Sequence, residues 1–176
     1  VSVPDERLDK IAGIAKSAKI VPTQLGFVDI AGLVKGASQG EGLGNQFLGN
    51  IREVDAIVHV LRCFEDDDIQ HVANKVDPLS DAEVVETELM LSDLESLEKR
   101  VPAAAKRGAS GDKEAKATAI VLGKALELLR EGKPARLTEL GDDEEARLFA
   151  QAQLLTAKPV LYVCDVAEED AAQGNA

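Results

Sequence analysis

Residues 27–47 read FVDIAGLVKGASQGEGLGNQF, a short apolar segment followed by a loop rich in glycine. Phe27-Val28 predicts a buried strand that ends at Asp29, and Gly32 follows this aspartate three residues later. In nucleoside triphosphatases the D-x-x-G pattern holds Mg²⁺ through its carboxylate and brings the glycine N–H close to a terminal phosphate. The pattern predicts Asp29 as a metal ligand and Gly32 as a catalytic residue. Four such letters also occur by chance, at ordinary turns after strands.

The longer string from Asp29 to Asn45 resembles the switch II region of the Obg-like ATPases, the YchF family of P-loop proteins. The resemblance implies an α/β fold, a P-loop NTPase-like and mostly parallel sheet with an inserted α-helical hairpin, which is a coiled coil in the family. It also implies ATP as the nucleotide, Mg²⁺ as the metal and the ribosome as a partner. It covers essentially the whole chain but only the interior of the family's length. The family's phosphate-binding loop, G-x-x-x-x-G-K-[ST], occurs nowhere in the 176 residues, and its C-terminal TGS domain is also absent.

Composition predicts one domain with a substantial core, since 45% of the 176 residues are hydrophobic. A net charge of −12 argues against a direct nucleic-acid surface, because phosphate contact requires a positive footprint. No apolar run is long enough to span a membrane, and the 176 residues contain no signal peptide, so a cytoplasmic location is expected. Cys63 and Cys164 lie in apolar stretches and are predicted to be buried free thiols.

The middle of the chain predicts a pair of helices. Ser80-Asp81-Ala82-Glu83 forms a capping box, and Pro102 should kink or end the helix that starts there. Apolar residues recur at alternating steps of four and three in two stretches: Met90, Leu94, Leu97 and Val101, then Ala115, Ala119, Leu122, Leu126 and Leu129. Such stripes favour an antiparallel hairpin over residues 80–140, inserted into a partial nucleotide-binding domain formed by residues 1–79 and 141–176. Two ordinary surface helices of the main domain are the alternative.

Two apolar runs predict buried parallel strands, at residues 55–63 and 160–163. Asp165, Val166 and Glu168 follow the second run, where GTPases carry the N-K-x-D motif that binds the base. The resembling family has N-x-x-E here, which implies that these three residues contact the nucleotide. Asp165 departs from the family's asparagine, and an ionised Asp accepts hydrogen bonds without donating any. A charged turn after a strand is the alternative interpretation.

The resemblance implies that the chain is part of a YchF-type ATPase, which binds and hydrolyses ATP as a ribosome-associated switch. The chain begins with Val1 and ends in a small, polar segment, which is typical of the interior of a longer protein. Without the phosphate-binding loop, the 176 residues alone are expected to be weak or inactive. Two alternatives remain: a non-catalytic interaction module that uses the helical hairpin, and a switch that prefers GTP.

Overall fold

The computed structural model describes residues 1–30, 43–66 and 75–174 of the chain. Within these ranges the helices and strands are α1 (Glu6–Ala15), α2 (Leu43–Glu53), β1 (Ile57–Arg62), α3 (Pro78–Ala109), α4 (Lys113–Arg130), α5 (Asp143–Gln151) and β2 (Val160–Asp165). Short 3-10 turns cover Ala135–Leu137, Leu155–Ala157 and Glu168–Asp170. The chain forms two compact units, Val1–Ala31 and Gly32–Ala176. None of the described helices combines the length and the apolar character that crossing a membrane requires.

The first unit joins α1 to two extended segments. Asp5 caps α1, and its side chain accepts a hydrogen bond of 2.9 Å from the Arg7 backbone N–H. This bond satisfies one of the amides that an isolated helix start leaves without a partner. An antiparallel bridge between Ser2 and Gln24 holds the extended segments together.

The residues that precede Asp29 differ from the prediction. Phe27 and Val28 are 68% and 63% exposed, and neither belongs to a strand. A buried strand needs partners along its edges and a layer against its faces. In the described part of the first unit, the backbone bonds between the extended segments end at Leu25, so the prediction of a buried strand at Phe27-Val28 is wrong for this chain.

The second unit contains a parallel pair of strands. β1 and β2 pair in register from Ile57–Val160 to Arg62–Asp165. Side chains alternate along β1: His59 is half-buried, whereas Val60 is 62% exposed. The prediction that this strand is buried on both faces is therefore wrong, because in the described ranges only one of its faces is covered.

The two central helices start at aspartate caps. Asp77 accepts a hydrogen bond from the Ser80 backbone N–H at 3.2 Å, so α3 starts at Pro78, two residues before the predicted capping box. Proline suits the first turn of a helix, because a backbone N–H at that position would have no acceptor within the helix and no hydrogen bond is lost. α3 also continues through Pro102 as far as Ala109, so the helix does not end at this proline.

α3 and α4 pack as an antiparallel hairpin, and the predicted apolar stripes form the seam. A close approach near the tip explains Gly108, since a Cβ there would lie only 2.8 Å from the Lys116 Cα. The main core cluster contains Leu97, Leu122, Ala125, Leu126, Leu129, Ala135, Ala152 and Leu154. Its last three members lie beyond α4, so the base of the hairpin shares its core with the chain that leads to β2. The domain boundaries at residues 80 and 140 stay a prediction.

A buried carboxylate connects the hairpin to the segment that precedes β2. Asp93, on α3, is 1% exposed. It accepts hydrogen bonds from the backbone N–H of Leu155 at 2.9 Å, from the Thr156 N–H at 2.8 Å and from the Thr156 hydroxyl at 2.7 Å. The Thr156 hydroxyl oxygen in turn accepts a bond of 3.0 Å from the Ala135 N–H. Burial raises the pKa of Asp93, while these hydrogen bonds and the charge of Arg52 oppose the rise.

We expect Asp93→Asn to lower the free energy of unfolding by about 1–3 kcal/mol, the usual cost of a buried polar group left without a partner. The reason is geometric: the new amide group would point an N–H at backbone N–H donors that now face carboxylate oxygens. Urea denaturation monitored by circular dichroism measures the effect. The matched control is Glu95→Gln on the same helix, whose exposed carboxylate pairs with Lys99. Equal stabilities of the two variants would contradict a structural role for Asp93.

Candidate nucleotide-binding site

The candidate site begins at the edge of the sheet where both strands end. β1 and β2 run in the same direction, and beyond β1 the Cys63 N–H donates a hydrogen bond of 2.7 Å to the Asp165 carbonyl. The two strand ends are therefore held side by side. Ligands of α/β proteins bind beyond the carboxyl ends of parallel strands, so this edge is the natural place for a nucleotide.

Asp165, Val166 and Glu168 lie together at this edge. Asp165 is the last residue of β2 and Glu168 opens a 3-10 turn, which the Asp170 N–H closes with a bond of 2.9 Å to the Ala167 carbonyl. The Asp165 and Glu168 side chains are exposed, whereas Val166 is half-buried. In the described part of the chain neither carboxylate has a hydrogen bond or an ion pair through its side chain. Both can accept hydrogen bonds from the amino or imino groups of a purine base.

The other two predicted residues lie outside the part of the second unit that the structure describes. Asp29 lies in the first unit with its side chain exposed, and Gly32 lies outside the described residues. No group of three or more metal-binding side chains occurs in residues 1–30, 43–66 and 75–174. Mg²⁺ fits a single carboxylate, since it commonly binds one or two protein carboxylates, several waters and the substrate phosphates. Asp29 offers such an oxygen ligand.

Residues at the end of β1 add features that the sequence did not reveal. Arg62 pairs in register with Asp165, and its guanidinium lies 4.8 Å from the centre of the Phe64 ring. It also donates a hydrogen bond of 3.0 Å to the Phe64 carbonyl, so a positive charge is held beside the candidate site. Its place at the end of the apolar run is the only sequence signal for this role.

The two cysteines lie near the same edge. Both are free thiols; Cys63 is half-buried and Cys164 is exposed, so the prediction of burial is wrong for Cys164. Burial raises the pKa of Cys63, and so does the neighbouring Cys164 thiol. β2 is exposed along most of its length, which explains why an apolar strand leaves a cysteine accessible.

Comparisons with known proteins identify the relatives of this chain. A family model described as "50S ribosome-binding GTPase" matches residues 8–95. The "Ribosome-binding ATPase YchF" of Bacillus subtilis is 49% identical over 172 residues, which make up 98% of this chain and 47% of the relative. The protein of the same name from Haemophilus influenzae is 52% identical over 169 residues, or 96% and 46% of the two chains.

A solved structure of a relative has a similar fold. The Schizosaccharomyces pombe YchF GTPase superposes with a TM-score of 0.75 and 39% identity, over 100% of this chain and 48% of that one. The predicted fold class is confirmed: this is a P-loop GTPase-like α/β fold. The chain belongs to the YchF family of ribosome-binding GTPase-like proteins. It spans about half the length of the relatives it matches.

We expect Asp165→Asn and Glu168→Gln each to change the free energy of unfolding by less than about 0.5 kcal/mol, as for other exposed substitutions. The reason is that neither side chain has a partner in the described part of the chain. Thermal and urea unfolding of the 176-residue chain check this. A loss well above 1 kcal/mol would show that the carboxylates hold the fold together and are not reserved for a ligand.

Proposed function

We propose that the chain is part of an ATP-hydrolysing switch that acts on the ribosome in the cytoplasm. The observation that carries the proposal is the pair of exposed carboxylates, Asp165 and Glu168, at the carboxyl edge of a parallel sheet. Relatives named ribosome-binding ATPases, 49% and 52% identical to this chain, support both the nucleotide and the ribosome as partners. The net charge of −12 favours ribosomal protein or a local contact over a broad RNA-binding surface.

The proposal assigns different residues to the metal, the phosphate and the base. Asp29 holds Mg²⁺, and Gly32 places its backbone N–H beside the terminal phosphate. The metal, when bound, neutralises charge on the phosphate oxygens. Asp165, Val166 and Glu168 contact the base. Leu33 stands where many GTPases carry a glutamine that orients the attacking water, and a leucine cannot orient water, so intrinsic hydrolysis is slow.

The base contacts decide between ATP and GTP. The N7 atom of adenine is an acceptor, so an ionised Asp165 would repel it. The 6-amino group of adenine is a donor, and a carboxylate can accept a hydrogen bond from it. Guanine presents donors at N1 and N2 that suit Glu168 equally well. A GTP-preferring switch is therefore the second candidate, and the name of the Schizosaccharomyces pombe relative, a YchF GTPase, favours it.

We expect Asp29→Ala in the full-length gene product to reduce Mg²⁺-dependent ATP turnover at least tenfold, because the metal loses its protein ligand. Phosphate release at several Mg²⁺ concentrations measures the effect, and excess Mg²⁺ should recover part of the loss. Asp9→Ala is the matched control, since Asp9 is an exposed carboxylate on α1 in the same unit. Unchanged turnover in Asp29→Ala would remove Asp29 from the metal site.

We expect ATP to displace a fluorescent nucleotide from the full-length protein at lower concentration than GTP does. Glu168→Ala should change the ratio of the two affinities at least tenfold, which corresponds to about 1.4 kcal/mol, because guanine then loses the acceptor for both its N1 and N2 donors, whereas adenine loses the acceptor for its 6-amino group alone. Glu169→Ala, the adjacent exposed carboxylate, is the control. Tighter binding of GTP would favour the second candidate, and an unchanged ratio would exclude Glu168 from the base site.

A further inference from the structure

A pocket lies in the second unit between the end of α2, the middle of α3 and the end of α5 with the loop that follows it. Its volume is about 240 Å³. Six polar or charged residues contribute to its lining: Arg52, Asp93, Ser96, Arg100, Gln151 and Gln153. No residue of the predicted nucleotide site belongs to it.

Each of the two arginines in the lining donates a hydrogen bond to a neighbouring residue. The Arg100 guanidinium donates a hydrogen bond of 2.8 Å to the Ala152 carbonyl. The Arg52 guanidinium donates one of 3.3 Å to the Ser92 hydroxyl. A guanidinium has five N–H groups, so each arginine keeps donors that these bonds do not use.

Neither arginine has a carboxylate within ion-pair distance in the described part of the chain. This is unusual in a protein with 32 acidic and 20 basic residues. Other arginines of the described ranges do pair with carboxylates: Arg7, Arg107, Arg130, Arg136 and Arg147. Two guanidinium groups without such a partner line one pocket, which makes an anion the natural occupant.

Asp93 does not neutralise this pair. Its two oxygens face the Leu155 and Thr156 donors, and its carboxylate lies beyond ion-pair distance of Arg52, whose charge only opposes the rise in the Asp93 pKa that burial causes. Two positive charges and one negative charge leave the pocket with an excess of one positive charge.

We propose that this pocket binds a small phosphate monoester, with its phosphate between Arg52 and Arg100. The planar fork of a guanidinium matches two phosphate oxygens at once. The Ser96 hydroxyl and the Gln151 and Gln153 amides supply donors and acceptors for hydroxyl groups of the ligand. The volume lies below the range of about 300–1,000 Å³ that is typical of pockets for drug-sized molecules, so the ligand is small.

The pocket is separate from the nucleotide site along the sheet. Gln153 and Leu154 precede β2, whereas Asp165 ends it, and six strand residues span roughly 17–20 Å. Ligand binding in this pocket is therefore an activity additional to the proposed nucleotide binding. A ligand held by both arginines would connect α2, which follows the glycine-rich loop, to the helical hairpin.

The test titrates the 176-residue chain with glycerol 3-phosphate, inorganic phosphate and succinate in a buffer of low ionic strength. Calorimetry gives the affinity, and backbone amide NMR shifts of residues 151–154 report the location. We expect saturable binding of glycerol 3-phosphate that moves these amides. Equally tight binding of inorganic phosphate would support the site and identify free phosphate as its ligand. Equally tight binding of succinate would overturn the phosphate assignment, and absence of saturable binding by all three compounds would overturn the site.

Variants separate the site from general charge. Arg52→Gln and Arg100→Gln should each weaken binding at least tenfold. Arg107→Gln, an exposed arginine on the same helix as Arg100, should leave it unchanged. Gln153→Gly is a further variant. It avoids strain, because Gln153 has a φ of +50° that glycine adopts easily. It should weaken the binding of glycerol 3-phosphate more than the binding of inorganic phosphate. Equal weakening in Arg107→Gln would show that the anion follows net charge and would overturn the proposal.

Discussion

The carboxylate of Asp93 is the interaction on which the second unit depends. It has lost almost all contact with water, which is costly for a charged group unless donors replace the water. Three hydrogen bonds from Leu155 and Thr156 replace the water, and the Thr156 hydroxyl oxygen also accepts a hydrogen bond from the Ala135 N–H. One side chain of α3 therefore fixes the two backbone segments that lie before and after α5.

The position of the strands follows from that anchor. Thr156 lies four residues before β2, so holding its backbone sets where β2 begins. The Ile57 N–H then bonds to the Pro159 carbonyl at 3.0 Å, and the Lys158 ammonium bonds to the Val54 carbonyl. These contacts pin β1 against β2 at their amino ends. The register between the strands then carries this constraint to Asp165 at the carboxyl edge.

Local patterns predicted the parts of the fold that depend on local physics. The stripes through Leu97 and Leu122 identified the seam of the hairpin, because residues three or four apart share a helix face wherever the helix is placed. The apolar runs likewise located the two strands, although both strands are more exposed than predicted. The base-contacting role of the residues that follow β2 stays a prediction. The start of α3 was misplaced because two capping patterns overlap: Asp77-Pro78 lies just ahead of the Ser80–Glu83 box, and the Asp77 side chain forms the cap.

The missed features depend on partners that are distant in sequence. Asp93 lies among the charged residues of α3, and nothing nearby shows that it is buried, because its donors are 62 and 63 residues away. The exposure of Val60 and Phe27 likewise depends on whether another part of the chain packs over them. An apolar sequence pattern does not predict this. The same holds for Arg52 and Arg100, which are 48 positions apart but line one pocket.

Burial of Asp93 and the positive pocket have one physical cause. A buried carboxylate is stabilised by nearby positive charge, and Arg52 supplies it without forming a direct ion pair. A direct pair would use the guanidinium fork and close the pocket. Because the backbone donors of Leu155 and Thr156 satisfy the carboxylate, the guanidinium stays oriented toward Ser92 and the pocket. The bonds that anchor β2 thus also keep an arginine available for an anion, so the anchor of the sheet and the proposed site share one set of contacts.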